Sequence, residues 1–128
     1  MQEFRRQGKQ THITTWVDTD YAGCLRTRKS TSGGLINLGS HLVKSWSATQ
    51  KPIALSSGEA EYYGVVRGSA TCKGTQSILK DMGVKLELEV LTDSSAAKGI
   101  ATRRGLGKVR HIDTCQLWVQ HDVHQGNI

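Results

Sequence analysis

Three acidic side chains stand where the chain has local reason to avoid them. Asp18 closes THITTWVD, a run of alternating β-branched and aromatic residues, and Asp93 closes a second such run, LELEVLTD. Glu61 lies in LSSGEAEYY, where a helix should be turning its apolar face inward. A single acid of this kind is ordinarily a cap or a surface charge. Glu59 has such work, because Ser56-Ser57-Gly58-Glu59 fits a capping box in which Ser56 or Ser57 is the cap and the glutamate returns to the cap residue's backbone N–H. Glu61 has none. Gly64 and Val65, three and four residues on, share its helix face and direct it towards a sheet. A carboxylate facing inward is costly unless positive charge meets it. Gathered at one point, three carboxylates repel one another, and hard divalent cations with a preference for oxygen relieve that repulsion. Two such ions about 3.5–4 Å apart align a water and a phosphodiester for in-line displacement.

Asp18 and Asp93 meet only if the strands they end are parallel neighbours, joined by a right-handed crossover whose helix brings Glu61 over the same end. The rest of the chain supplies that order. After residues 11–18, DYAGCLRTRKSTSGG is a polar, glycine-containing connection, and LINLGSHLVKSW reads as two short strands turning near Gly39-Ser40. The helix runs from Ser56 or Ser57 to Met82, with Gly83 as its C-terminal cap. It carries Gly58, Gly64, Gly68 and Gly74, each costing about 0.5–1 kcal/mol relative to alanine. Either its backbone packs very close to a neighbour or it breaks near Gly74, and the reading favours a break. LELEVLTD (86–93) is the fourth strand, SSAAKGIATRR a helix and GLGKVR a basic loop. HIDTCQLWVQHDVHQ (111–125) is a last helix, with apolar bulk from Ile112, Cys115, Leu117, Trp118 and Val119. The expected fold is α/β: a mixed sheet of a three-strand meander plus one parallel strand, flanked by helices.

At 128 residues the chain holds one core, with residues 1–11 as a basic extension and 12–128 as the domain. Seventeen Lys and Arg against eleven Asp and Glu give a net charge of +6, which favours a polyanionic partner, although a merely soluble basic surface has the same sign. Arg26, Arg28, Lys29, Gln50, Lys51, Lys98, Arg103, Arg104, Lys108 and Arg110 fall in the connections around the proposed site and could meet phosphates. For at least half of them ordinary solvated charge is the simpler reading. RRGLGKVR (103–110) is the best single candidate, since its glycines let backbone N–H groups approach phosphates closely. Three cysteines without paired spacing read as reduced thiols in an intracellular setting. The opening MQEFRRQGKQT has no apolar stretch behind it and reads as neither signal peptide nor anchor, and no run approaches a membrane span. His111 and Cys115, with His121 and His124, superficially suggest zinc. A helix turns through about 600° between 115 and 121, so the two pairs face different directions and zinc is disfavoured.

The stretches VDTDYAG, RKSTSGG, SWSATQKPIALSSGEAEYYG, VLTDSSAAKGI and VRHID, in this order and spacing, closely resemble the ribonuclease H domain of copia-type retrotransposon polyproteins, from about residue 14 onward. That resemblance implies a ribonuclease H-like, five-stranded mixed sheet with helices on both faces. It also implies endonucleolytic cutting of the RNA strand of an RNA–DNA hybrid with two Mg²⁺ (or Mn²⁺) ions. By position, Asp18 of VDTD, Glu61 of AEYY and Asp93 of LTDSS match the family's metal-binding acids, whereas Asp20 and Glu59 match positions that are common but not metal-binding. The family continues with a final strand and a helix bearing a fourth catalytic aspartate in an AD-x-x-TK-like motif, and this chain stops at HQGNI, where that strand would begin. Asp113 of VRHID is the one candidate to stand in for the fourth acid, and His111 reads as structural. An incomplete end would leave a sheet edge or core face for another chain, such as a reverse transcriptase domain, to cover. Two functions therefore compete: a metal-dependent nuclease, favoured by the intact acids, and a catalytically inactive, element-derived remnant acting as a nucleic-acid-binding or structural subunit, favoured by the missing end.

Overall fold

The computed structural model describes residues 3–107, 112 and 114–128. Four strands form one sheet in the order β3-β2-β1-β4. β1 (His12–Asp20), β2 (Thr31–Leu38) and β3 (His41–Thr49) make an antiparallel meander, and β4 (Glu87–Leu91) pairs parallel to β1. The mixed α/β sheet expected from the sequence is therefore present. Alternation decides the faces: Ile13, Thr15, Val17 and Thr19 of β1 are buried, while Trp16 on the opposite face is 51% exposed.

The parallel pair is bridged by α1 (Ser57–Asp81), which packs on the buried face against β1, β2 and β4. α2 (Ser95–Thr102) lies against α1, and α3 (Trp118–His124) against α2. One core joins Val17, Tyr62, Val65, Val66, Ile100 and Val119 at the end nearer the acids; a second joins Ile13, Ile36, Cys72, Leu86 and Leu88 at the other. The family resemblance implies five strands and helices on both faces. Among the described residues there are four strands, and the face carrying Trp16, Leu35 and Leu91 is lined by no helix. No described helix is long and apolar enough to cross a membrane.

Several local expectations are corrected. β1 extends two residues past Asp18, so that acid lies within the strand, whereas β4 stops at Leu91, two residues short of Asp93. β2 begins at Thr31, inside what reads as a loop, because Gly33 and Gly34 pair with Asp18 and Val17 of β1. α1 does not break at Gly74. A side chain there would meet nothing, and the turns around it are held by buried Cys72 and by Gln76, whose Nε2 donates to the Leu86 carbonyl at 2.8 Å. The last helix is shorter than expected: a 3-10 turn (Thr114–Gln116) precedes α3, because the Tyr62 hydroxyl donates to the Gln116 carbonyl at 2.8 Å and the Gln120 N–H turns to Leu117 instead. The N-terminal segment is tied down: Gln7 Nε2 donates to the Leu38 carbonyl at 2.7 Å, and the Ser40 N–H donates to Gln7 Oε1 at 3.0 Å across the β2–β3 turn.

Candidate functional site

The parallel register of β1 and β4 sets the site. Its last pair is Trp16 opposite Leu91, so two residues further along each chain segment Asp18 and Asp93 come level at the carboxyl end of the sheet. Asp93 is held at the start of α2: the Ser94 N–H donates to Thr92 Oγ1 at 3.2 Å, and Ser94 Oγ caps the helix by accepting from the Ala97 N–H at 3.1 Å. Asp18 Oδ1 accepts from the Thr19 N–H at 2.8 Å.

Glu61 arrives from the first turns of α1. Ser56 is the N-cap, its Oγ accepting from the Glu59 N–H at 3.2 Å. Glu59 does not return to the N–H of the cap residue, as a capping box requires. Its carboxylate instead accepts from the Leu55 N–H at 3.0 Å and from the Tyr63 hydroxyl at 2.8 Å, fully buried. The helix then presses on β1 so closely that a Cβ on Gly64 would lie 2.5 Å from Thr19 Oγ1, and one on Gly68 would lie 2.3 Å from Val17 Cγ1.

The result is that Asp18, Glu61 and Asp93 each offer a carboxylate oxygen, all within 4.8 Å of one another. Asp18 and Asp93 are exposed and Glu61 is half-buried. Burial first, and then the charges of Asp18 and Asp93, raise the Glu61 pKa above the ordinary carboxylate value. Its Oε2 is buried without a hydrogen-bond partner. An oxygen-only donor set with mutual repulsion and an unspent buried lone pair suits a hard divalent cation. Beside the acids, on the open sheet face, a groove of about 600 Å³ is lined by Trp16, Gly33, Leu35 and Leu91 together with Asp18 and Asp93.

Comparison with known proteins finds similarity to transposon polyproteins. Over 83 residues, 65% of its length, it is 32% identical to the retrovirus-related Pol polyproteins from transposons RE1 and RE2 of Arabidopsis thaliana. Over 118 residues, 91% of its length, it is 27% identical to the retrovirus-related Pol polyprotein from transposon TNT 1-94 of Nicotiana tabacum. The chain is thus similar to a part of transposon Pol polyproteins. It spans only 6% of the two Arabidopsis proteins and 9% of the tobacco one, so it corresponds to a small part of each. No protein-family model matches it, and no solved structure does.

The basic candidates divide. Arg28 and Lys29 lie in the β1–β2 connection and Lys51 lies between β3 and α1, so all three leave the sheet at the end that carries the acids. Arg28 and Lys51 are exposed, and Arg28 takes a left-handed φ of 55° in a tight loop where its N–H donates to the Cys24 carbonyl at 2.7 Å. Arg104 is exposed beyond α2. Arg103 is engaged internally: its guanidinium donates to the Leu106 carbonyl at 2.5 Å and closes over Gly107. Gln50, grouped from the sequence with the phosphate contacts, is 7% exposed and cannot reach a ligand at the surface. Lys108, Arg110, His111 and Asp113 lie outside the described residues. Sequence reasoning missed the inward role of Gln50 because a polar residue next to a lysine and a proline reads as loop surface.

Proposed function

We propose that this chain is a divalent-cation-dependent endonuclease domain of the ribonuclease H type, from a copia-type retrotransposon polyprotein, cutting the RNA strand of RNA–DNA hybrids. The observation that carries the reading is the convergence of Asp18, Glu61 and Asp93, whose carboxylate oxygens lie within 4.8 Å of one another although the residues are far apart in sequence. Similarity to transposon Pol polyproteins supports it, since such an element is the setting in which an RNA–DNA hybrid arises.

Asp18, Glu61 and Asp93 would hold Mg²⁺ or Mn²⁺, two ions in the full site. The ions would supply Lewis acidity to a scissile phosphate and its attacking water. Asp18 and Asp93, exposed at the sheet end, face the solvent from which a phosphodiester approaches, and half-buried Glu61 closes the inner side. Arg28, Lys29, Lys51 and Arg104, and on the reading of the sequence Lys108 and Arg110, would meet the hybrid backbone, where 2′-hydroxyls distinguish the strand to be cut. The open sheet face is consistent with further domains of a polyprotein, a reverse transcriptase domain among them, packing beside this one.

The test is cleavage of an end-labelled RNA–DNA hybrid with Mg²⁺. The expected result is endonucleolytic cutting of the RNA strand that vanishes in chelator and in Asp18→Asn. Cutting that persists in Asp18→Asn places the activity elsewhere. A native chain that does not cut, yet docks tightly into a protein complex, would leave the structural-remnant reading standing instead.

A further inference from the structure

Gln50 follows β3 directly and is buried between the sheet and α1. Its backbone N–H donates to the Ser30 carbonyl at 2.8 Å, which anchors it to the start of β2. Its side-chain Nε2 donates twice, to Ser32 Oγ at 2.7 Å and to the Ala60 carbonyl at 2.8 Å. The amide orientation is fixed by chemistry: turned over, its oxygen would face the carbonyl oxygen of Ala60, acceptor against acceptor. Ser32 Oγ also accepts from Thr19 Oγ1 at 3.4 Å.

The ends of this network are next to the acids. Thr19 follows Asp18 and its N–H holds Asp18 Oδ1 at 2.8 Å, while Ala60 immediately precedes Glu61. A path with a buried middle therefore runs Asp18, Thr19, Ser32, Gln50, Ala60, Glu61, linking the strand that carries one carboxylate to the helix turn that carries another. Near the acids α1 otherwise meets β1 by close approach, Gly64 against Thr19 and Gly68 against Val17. Such packing fixes distance but is poor at fixing slide or rotation, whereas a hydrogen bond has a direction. Repulsion among the three carboxylates pushes α1 away from β1, and the Gln50 amide opposes it at the residue adjoining Glu61.

We propose that Gln50 is a positioning residue for the acidic site, the amide that clamps the first turn of α1 to β1 and β2 so that Glu61 and Asp18 stand at cation-binding separation. This rests on the reading of the trio as a cation site. Removing the amide weakens cation binding without touching the surface that meets the hybrid.

The experiment compares the native chain, Gln50→Met and Ile36→Ala by Mn²⁺ titration, hybrid cleavage and thermal melting. Ile36 is buried in the second core, away from the acids, and controls for lost stability alone. Gln50→Met is expected to weaken Mn²⁺ binding and lower kcat by roughly 10- to 100-fold, as loss of a group supporting metal ligands does, with the hybrid KM nearly unchanged. Ile36→Ala is expected to lower the melting temperature and leave the Mn²⁺ midpoint in place. Should Gln50→Met fail to fold, Ser32→Ala cuts the same path on the β2 side and is expected to weaken Mn²⁺ binding in the same direction. A Gln50→Met or Ser32→Ala chain that binds Mn²⁺ as tightly as the native chain overturns the proposal. A native chain that neither binds Mn²⁺ nor cuts overturns the cation reading itself, and this inference with it.

Discussion

Glu61 is the acid of the trio drawn furthest from water, and its raised pKa has consequences for stability. A carboxyl whose folded pKa exceeds its unfolded value holds its proton more tightly in the folded chain. Between those two values the folded state binds more protons than the unfolded state, so stability falls as pH rises through that window and stays lowered above it. On the proposed reading a divalent cation would reverse the penalty by binding only the folded site; at a hundred times its dissociation constant it would add about 2.7 kcal/mol. Glu61→Gln should therefore melt higher than the native chain at neutral pH in chelator, lose the gain in stability that the native chain shows on mild acidification, and no longer be stabilised by Mg²⁺. Thermal melts across pH, with chelator and with Mg²⁺, check all three. A chain that is less stable without its ligand than it could be is what a binding site built from like charges requires.

Among the elements, α1 does the most to join fold and site, and its glycines fall into two kinds. A Cβ on Gly64 or Gly68 would strike Thr19 or Val17, so at these positions the absent side chain lets the helix lie against β1. Gly74 faces open space. Gly68→Ala should cost about 1–3 kcal/mol through overpacking. Gly74→Ala should instead stabilise by about 0.5–1 kcal/mol, since nothing opposes the helix preference of alanine. Denaturant titration of the two variants reads both signs. Gly64→Ala lies closest to the acids, and there the same displacement should also weaken Mn²⁺ binding, because Glu61 rides on the helix face that has to move.

At the scale of the whole molecule, polar links fasten the late elements to the early ones. Lys73 on α1 pairs with Asp122 on α3 and lies 5.4 Å from the ring centre of Trp118. Burial raises the Asp122 pKa, but the hydrogen bonds from Lys73 and Asn127 outweigh it, and the net shift is downward. The stabilisation is present above the unfolded carboxylate value and is lost as pH falls through the depressed one. Lys73→Met leaves Asp122 buried with one partner fewer and should cost about 1–3 kcal/mol at neutral pH, shrinking in acid, as denaturant melts at two pH values would reveal. The net charge of +6 acts over longer distances. Hybrid affinity should fall steeply between about 50 and 200 mM salt, and titrations across that range measure it.

The sequence by itself marked Asp18, Glu61 and Asp93 as candidates, and it determined the α/β order of elements, the helix start at Ser56 or Ser57, its end near Gly83, and the hairpin at Gly39. Each is a local matter of alternation, capping or turn chemistry, visible within a few residues. Only the tertiary structure decided the rest. Gly33 and Gly34 join a strand because β1 pairs with them; α1 runs on through Gly74 because its neighbouring turns are buried; and the last helix is shortened because Tyr62 takes a carbonyl from it. Asp18 and Glu61 likewise meet through contacts between distant segments, Gly64 of α1 against Thr19 of β1 and the Gln50 amide donating to Ala60. Local preference is a property of adjacent residues, whereas a distance between two acids depends on every surface packed between them.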